Sequence, residues 1–254
     1  MTVFSISILL GCLSVMAVRG RRGDWPPGMP ATRPRLVTAG GTYDGSHGHP
    51  SDAYVVQERL IALADGQGGT EVAHTAAALA LGAVVAARPQ HSARREEDMD
   101  ECAQSAHRAV RRAALRTPSR PALVTTMDLL VLVPGETPCL RFVHVGNGAI
   151  WHCAKGGKPR RLTTSHSFDD GPLLRGIGLA STLNPEVGTV PLRPGDRVAV
   201  VTDGVLKALG EHRLTELLAV GPSPASCLDR LYDEVAAAAP KDDATMVVAD
   251  FVTA

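Results

Sequence analysis

An α+β layered domain is the fold class that this sequence predicts. Short apolar runs occupy both ends of the chain, two long helical stretches sit together between them, and strand and helix signals do not alternate one for one. A parallel sheet wound from strand–helix–strand units needs that alternation, so grouped helices layered on strands fit better. The 254 residues are enough for one large domain or two small ones.

Residues 1–23 stand apart. Val3 to Val18 is apolar and uncharged, and Arg19, Arg21 and Arg22 follow it. Its 16 residues fall short of the about 20 that a full span needs. A secretory signal carries its positive charge before the apolar stretch, not after it. Inside a membrane, the trailing arginines would keep the rest of the chain cytoplasmic. Leu9-Leu10-Gly11-Cys12 has the look of a lipoprotein processing site, but lacks a basic leader. An anchor, a buried strand and a misassigned start stay open. The expected location is the cytoplasm, with residues 3–18 as the candidate tether. Asp24 to Arg35 is proline-rich without periodicity and reads as a linker, which leaves residues 36–254 as the domain.

Within the domain, Tyr54-Val55-Val56 and Leu60 to Ala64 read as two strands joined by a polar turn at Gln57-Glu58. Thr70 to Arg88 is alanine-rich and free of proline, a helix by propensity. Glu96 to Arg116 is a second helix, acidic at its start and basic at its end, as the macrodipole favours. Ala122 to Val133, Leu140 to Val145 and Ala149 to Ala154 follow as strands, with Pro134-Gly135 and Gly146-Asn147-Gly148 as turns. Arg197 to Thr202 is an apolar strand leading into a short helix, Val205 to Leu209. Pro224 to Ala239 reads as a helix and Thr245 to Phe251 as the last strand.

Basic and acidic residues balance at 26 each, so no global field favours nucleic acid, a membrane surface or a polyanion. The five cysteines (Cys12, Cys102, Cys139, Cys153, Cys227) form no CxxC pair and are odd in number. Neither a zinc site nor a disulfide framework follows, and a reducing compartment fits best.

The chemistry rests on aspartates at the ends of apolar strands. Asp65 ends Ile61-Ala62-Leu63-Ala64 and opens Asp-Gly-Gln-Gly-Gly; Asp203 ends Val198 to Thr202 and opens Asp-Gly-Val. Asp242 and Asp243 precede Ala244 to Val248. Each Asp-Gly alone is a common turn. Three such sites in order, each beside a hydrophobic strand, are harder to explain as turns. Carboxylates at strand ends sit on a rigid base where several can converge, and converging like charges repel unless a cation lies between them. Oxygen ligands without histidine or cysteine select magnesium, manganese or calcium over zinc. Gly66 lets the chain turn sharply so that its carbonyl can face a metal.

These residues resemble a known family. LIALADGQGGTEVA, beginning at Leu60, is similar to the first metal motif of the type 2C (PPM) serine/threonine protein phosphatases. Ser51-Asp52-Ala53-Tyr54 is similar to that family's upstream acidic motif, Thr125-Thr126 to its Gly-Thr-Thr strand start, and VHVGNGAIW to its glycine–aspartate hairpin. LRPGDRVAVVTDGV and DDATMVV resemble its last two metal motifs, so the likeness runs from about residue 38 to 252. It implies a four-layer αββα sandwich of two antiparallel sheets flanked by helices. It also implies two divalent cations, Mn2+ or Mg2+, with Asp65 bridging them, the Gly66 carbonyl on one, Asp203 and Asp242 on the other, and Asp52 in support. The implied reaction is hydrolysis of phosphoserine or phosphothreonine in a phosphoprotein made by a Ser/Thr kinase, by a monomer and without a covalent intermediate. Asp242-Asp243-Ala244-Thr245 suggests a further reading, closer to the bacterial phosphatases that act on anti-sigma-factor antagonists, which changes the substrate more than the chemistry.

The pattern departs from the family at several points. His47 stands where a phosphate-binding arginine is usual, so it is the candidate substrate-binding residue; a protonated imidazole donates less well than a guanidinium. Ser51 replaces an acidic residue, Asn147 an aspartate of a looser third metal site, and Ala149 an arginine. Gln67 is assigned no acid role. His166, Asp169, Asp170 and Arg175 fall in a polar stretch expected beside the site, and His74 and His107 read as helix residues, not ligands. A second class of function therefore stays open: a degenerate phosphatase fold that binds a (phospho)protein partner in signalling with little turnover.

Overall fold

The computed structural model describes residues 33–46, 50–68, 71–92, 95–116, 122–168 and 171–253. Its strands are β1 (Pro34–Tyr43), β2 (Asp52–Gln57), β3 (Leu60–Asp65), β4 (Met127–Val133), β5 (Cys139–Val145), β6 (Ala149–Cys153), β7 (Pro159–Arg161), β8 (Glu186–Pro191), β9 (Arg197–Val201) and β10 (Ala244–Thr253). The helices are α1 (Glu71–Ala87), α2 (Pro89–Ser92), α3 (Glu96–Arg116), α4 (Asp203–Leu218) and α5 (Pro224–Ala238).

The strands form two five-stranded sheets, ordered β1-β10-β9-β6-β7 and β2-β3-β4-β5-β8. Every paired neighbour is antiparallel. Side chains alternate faces along a strand, and here both faces are covered, which is why Leu60 to Ala64 and Val198 to Val201 read as unbroken apolar runs. Leu60, Ala62 and Ala64 point to one cluster with Met99, Ala103, Ala106 and the α1 alanines. Ile61 and Leu63 point to a second cluster with Val198, Val200, Val247 and Phe251 of the facing sheet. The other side of that facing sheet packs Ala199, Val201, Met246 and Val248 on Leu214, Leu217, Leu231 and Val235 of α4 and α5. Helices, sheet, sheet, helices: the arrangement is the expected αββα sandwich.

The helix Glu96–Arg116 and the strand cores fall where the sequence places them. Three strands carry no clear sequence signal. β1 begins at Pro34, inside the stretch that reads as a linker, and its Ala-Gly-Gly centre lacks the β-branched residues that mark a strand. It is held instead by pairing with β10 from Pro34↔Thr253 to Tyr43↔Ala244. β7 and β8 are short edge strands. Helix α4 runs well past the expected Leu209, because the chain resumes helix after a break at Gly210 (φ 69°, ψ 158°).

Candidate metal centre

Both sheets deliver aspartates to one place. Asp52 and Asp65 face each other as cross-strand partners at the mouth of the β2–β3 pair. Asp65 is fixed by its backbone: its N–H donates to Thr126 Oγ1 (2.9 Å), and its carbonyl accepts from Thr126 N and Thr125 Oγ1, both at 2.8 Å. Thr125-Thr126 is thus the clamp on the strand end. Gly66 N donates to the Ser51 carbonyl (3.1 Å). Residue 66 has to be glycine, since a β-carbon there would lie 2.0 Å from the Ala73 carbonyl oxygen of α1.

From the other sheet, β9 ends at Val201 and Asp203 opens α4. Thr202 N donates to the Thr245 carbonyl and Thr245 N to Thr202 Oγ1, both at 2.9 Å, which locks Asp203 beside the Asp242-Asp243 turn. Asp242 Oδ1 accepts from the Asp243 N–H (3.1 Å).

Asp243 has a separate task. Its carboxylate accepts from Gly45 N (2.9 Å), Ser51 N (2.7 Å) and Ser51 Oγ (3.0 Å), tying the segment before β2 to the segment before β10. Ser51, at the position of an expected acid, is therefore a donor to Asp243. Nothing local in the sequence pairs residues 192 positions apart.

Four carboxylates reinforce one another here. The Asp65 carboxyl is held well above its usual range, first by burial and then by the charges of Asp52, Asp203 and Asp242. Burial chiefly, with Asp243 adding to it, pushes Asp52 up from 3.8 to about 7. Both Asp52 oxygens and Asp203 Oδ1 are buried without a hydrogen-bond partner. Buried anionic oxygens left unpaired are costly, and hard oxygen donors in this arrangement suit magnesium or manganese. The residues present therefore fit a divalent-metal centre. A carboxyl pushed up on folding gives stability that is full below about pH 4 and lost as pH rises to about 7. Metal-free protein is accordingly expected to melt lower at about pH 7.5 than at about pH 5, with Mn2+ closing the gap; thermal melts with chelator or metal at both pH values measure it.

Two further residues touch the aspartates. Asn147 donates through Nδ2 to Asp203 Oδ2 at 2.6 Å, so at the position of the expected third-metal aspartate it is a brace for Asp203. Lys207, one helical turn after Asp203, sets its Nζ 2.7 Å from Asp203 Oδ2 and 3.3 Å from Asp242 Oδ2. In the sequence, only the helical i,i+4 spacing from Asp203 marks Lys207. Gln67, given no acid role, donates to Asp65 Oδ2 (3.2 Å).

His47, Asp169, Asp170 and residues 1–32 lie outside the described residues. His166 and Arg175 line a cavity of about 430 Å³ with Thr164, Leu174, Asn184 and Glu186. That cavity abuts the Asn147 hairpin, since His166 N donates to the Gly146 carbonyl (2.7 Å). His144, His166 and Glu186 come within 4.8 Å of one another. Both His144 nitrogens are already engaged, by Asp128 Oδ1 (2.6 Å) and the Thr164 carbonyl (3.0 Å). Arg175 lies 3.3 Å from His166 Nε2, so the trio makes a poor metal site. His107 accepts from Gly178 N (3.0 Å) and His74 is exposed, consistent with helix residues that are not ligands.

The sequence model of Stage II sporulation protein E (SpoIIE) matches residues 57–252. The chain belongs to the SpoIIE family. No curated protein matches it. Among solved structures, the SpoIIE-family domain is similar to the serine/threonine phosphatase PstP, known from Mycobacterium tuberculosis, and to a PstP catalytic domain solved with two manganese ions. That likeness has 21% identity and a TM-score of 0.77, over 87% of this chain and 100% of that one. The Mycobacterium smegmatis PPM Ser-Thr phosphatase MsPP, in complex with cacodylate, is 24% identical (TM-score 0.72, 85% and 98% covered). PppA, a regulatory component of the Pseudomonas aeruginosa T6SS, is 16% identical (TM-score 0.75, 86% and 100% covered). The fold of this SpoIIE-family chain is that of the bacterial PPM phosphatases.

Proposed function

We propose that this SpoIIE-family chain is a metal-dependent phosphatase acting on phosphoserine or phosphothreonine in a protein. The observation that carries the reading is the convergence of Asp52, Asp65, Asp203 and Asp242 from two sheets, with buried carboxylate oxygens left unpartnered. The two manganese ions of the PstP catalytic domain support two cations here as well, Mn2+ or Mg2+. Asp65 and the Gly66 carbonyl would hold one, and Asp203 and Asp242 the other, with Asp65 between them and Asp52 behind. Bound, such a pair would make water nucleophilic at neutral pH and clamp the phosphoryl oxygens for in-line attack. The chain's own part is to position. Thr125 and Thr126 fix Asp65, Asn147 orients Asp203, and Asp243 with Ser51 holds the segment that leads to His47, the proposed phosphate contact. The likeness of Asp242-Asp243-Ala244-Thr245 to bacterial phosphatases that act on anti-sigma-factor antagonists favours a phosphorylated protein of that class as the substrate.

One observation favours a second reading, a degenerate module that binds a (phospho)protein and turns over little. Lys207 already neutralises part of the cluster at Asp203 and Asp242. A phosphoserine peptide separates the two. The hydrolase releases phosphate in the presence of Mn2+ and stops on chelation, whereas the module binds the peptide without release.

A further inference from the structure

We infer that Lys207 is an internal cation of the metal centre, holding the place of divalent charge between Asp203 and Asp242, so that a second ion binds only by displacing it. This rests on the two-metal reading above and adds an order of occupancy to it. The Asp65 and Gly66 side of the centre takes the first ion, and the Asp203–Asp242 side is guarded.

The geometry is specific. Helix α4 begins at Asp203, and residue 207 returns to the same face one turn later. A lysine this near a helix N-terminus gains nothing from the macrodipole, so the helix itself gives no reason for it. Its ammonium instead joins two carboxylates, 2.7 Å from Asp203 Oδ2 and 3.3 Å from Asp242 Oδ2. Asp203 Oδ2 also accepts from Asn147 Nδ2 (2.6 Å), so this oxygen is fully engaged by the chain while Oδ1 stays buried and unpartnered. A divalent ion that needs both Asp203 and Asp242 therefore meets a positive charge already seated between them. The aspartates on the other side of the centre are different: Asp65 Oδ2 accepts from the neutral Gln67 amide, and Asp52 has the neutral hydroxyls of Thr202 and Thr245 beside it, with no Lys or Arg ion pair to either among the described residues. The Lys207 side chain is 43% exposed, so its head has a path to solvent when it is displaced.

The test is Mn2+ binding to the full chain, by calorimetry with bound ions counted by electron paramagnetic resonance. Wild type, Lys207→Met, Lys207→Gln and Asp65→Asn are compared, with circular dichroism melts to verify folding. The wild type is expected to take one Mn2+ at least about tenfold more tightly than a second. Each neutral Lys207 variant should tighten the second ion at least about tenfold and leave the first within about threefold, a change that a structural lysine would not produce. Unchanged or weakened binding in both variants overturns the assignment. If Asp65→Asn loses an ion while the Lys207 variants match wild type, the lysine role alone fails. If neither wild type nor the Lys207 variants bind Mn2+, the metal centre fails with it.

Discussion

Asp65→Asn is expected to cut phosphate release by about 10³-fold or more while leaving the metal-free fold as stable as wild type, or more so. The loss follows from removing the carboxylate between the two proposed cations, whose stabilisation of developing charge is worth several kcal/mol, at tenfold per about 1.4 kcal/mol. The intact fold follows from the same electrostatics read the other way. The Asp65 carboxyl is held above its usual range by burial and by three neighbouring aspartates, so its ionised form works against folding. An amide of the same shape carries no charge to desolvate, and the backbone bonds to Thr125 and Thr126 survive the change. Phosphate release, Mn2+ calorimetry and a melt under chelator give the three numbers. Full activity in the variant would sink the two-metal assignment, and a large loss of metal-free stability would contradict the electrostatic account.

Gly66→Ala should be the most damaging small substitution at the site. The added carbon would sit 2.0 Å from the Ala73 carbonyl oxygen, and a backbone atom cannot rotate away. Helix α1 or the end of β3 must shift, an overpacking cost toward the upper end of about 1–3 kcal/mol. For a domain of this size that corresponds to a fall in Tm of roughly 6–12 °C, and activity should drop further because Asp65 and the Gly66 carbonyl move with the strand end. Gly82→Ala, in the same helix-and-sheet layer with no atom near its new carbon, is the control. It should be neutral, or stabilising by about 0.5–1 kcal/mol.

Much of the aspartate cluster could be read from the sequence because its members announce themselves locally. Asp65 and Asp203 each end an apolar run and begin an Asp-Gly pair, and those runs are strands buried on both faces. What could not be read depends on pairing across the fold. Asp243 acquires its meaning from Ser51 and Gly45, which meet it only when β1, β2 and β10 assemble. Ser51 and Asn147, read alone as losses from a pattern, become donors to Asp243 and Asp203. β1 has a glycine-rich centre and a strand partner at the far end of the chain, so neither propensity nor periodicity reveals it. Lys207 belongs between these cases: its spacing from Asp203 was visible, but its second contact, Asp242, comes from the loop before β10.

The central claim, that this aspartate cluster runs metal-dependent phosphate hydrolysis, is tested most directly by phosphate release from a phosphothreonine peptide. The full chain is assayed with millimolar Mn2+, with excess chelator, and as Asp203→Asn. Turnover that requires Mn2+ and is lost in the variant is the predicted result. Peptide and Mn2+ binding without any release, in wild type under the same conditions, would contradict it and leave the chain as a phosphatase fold used for recognition.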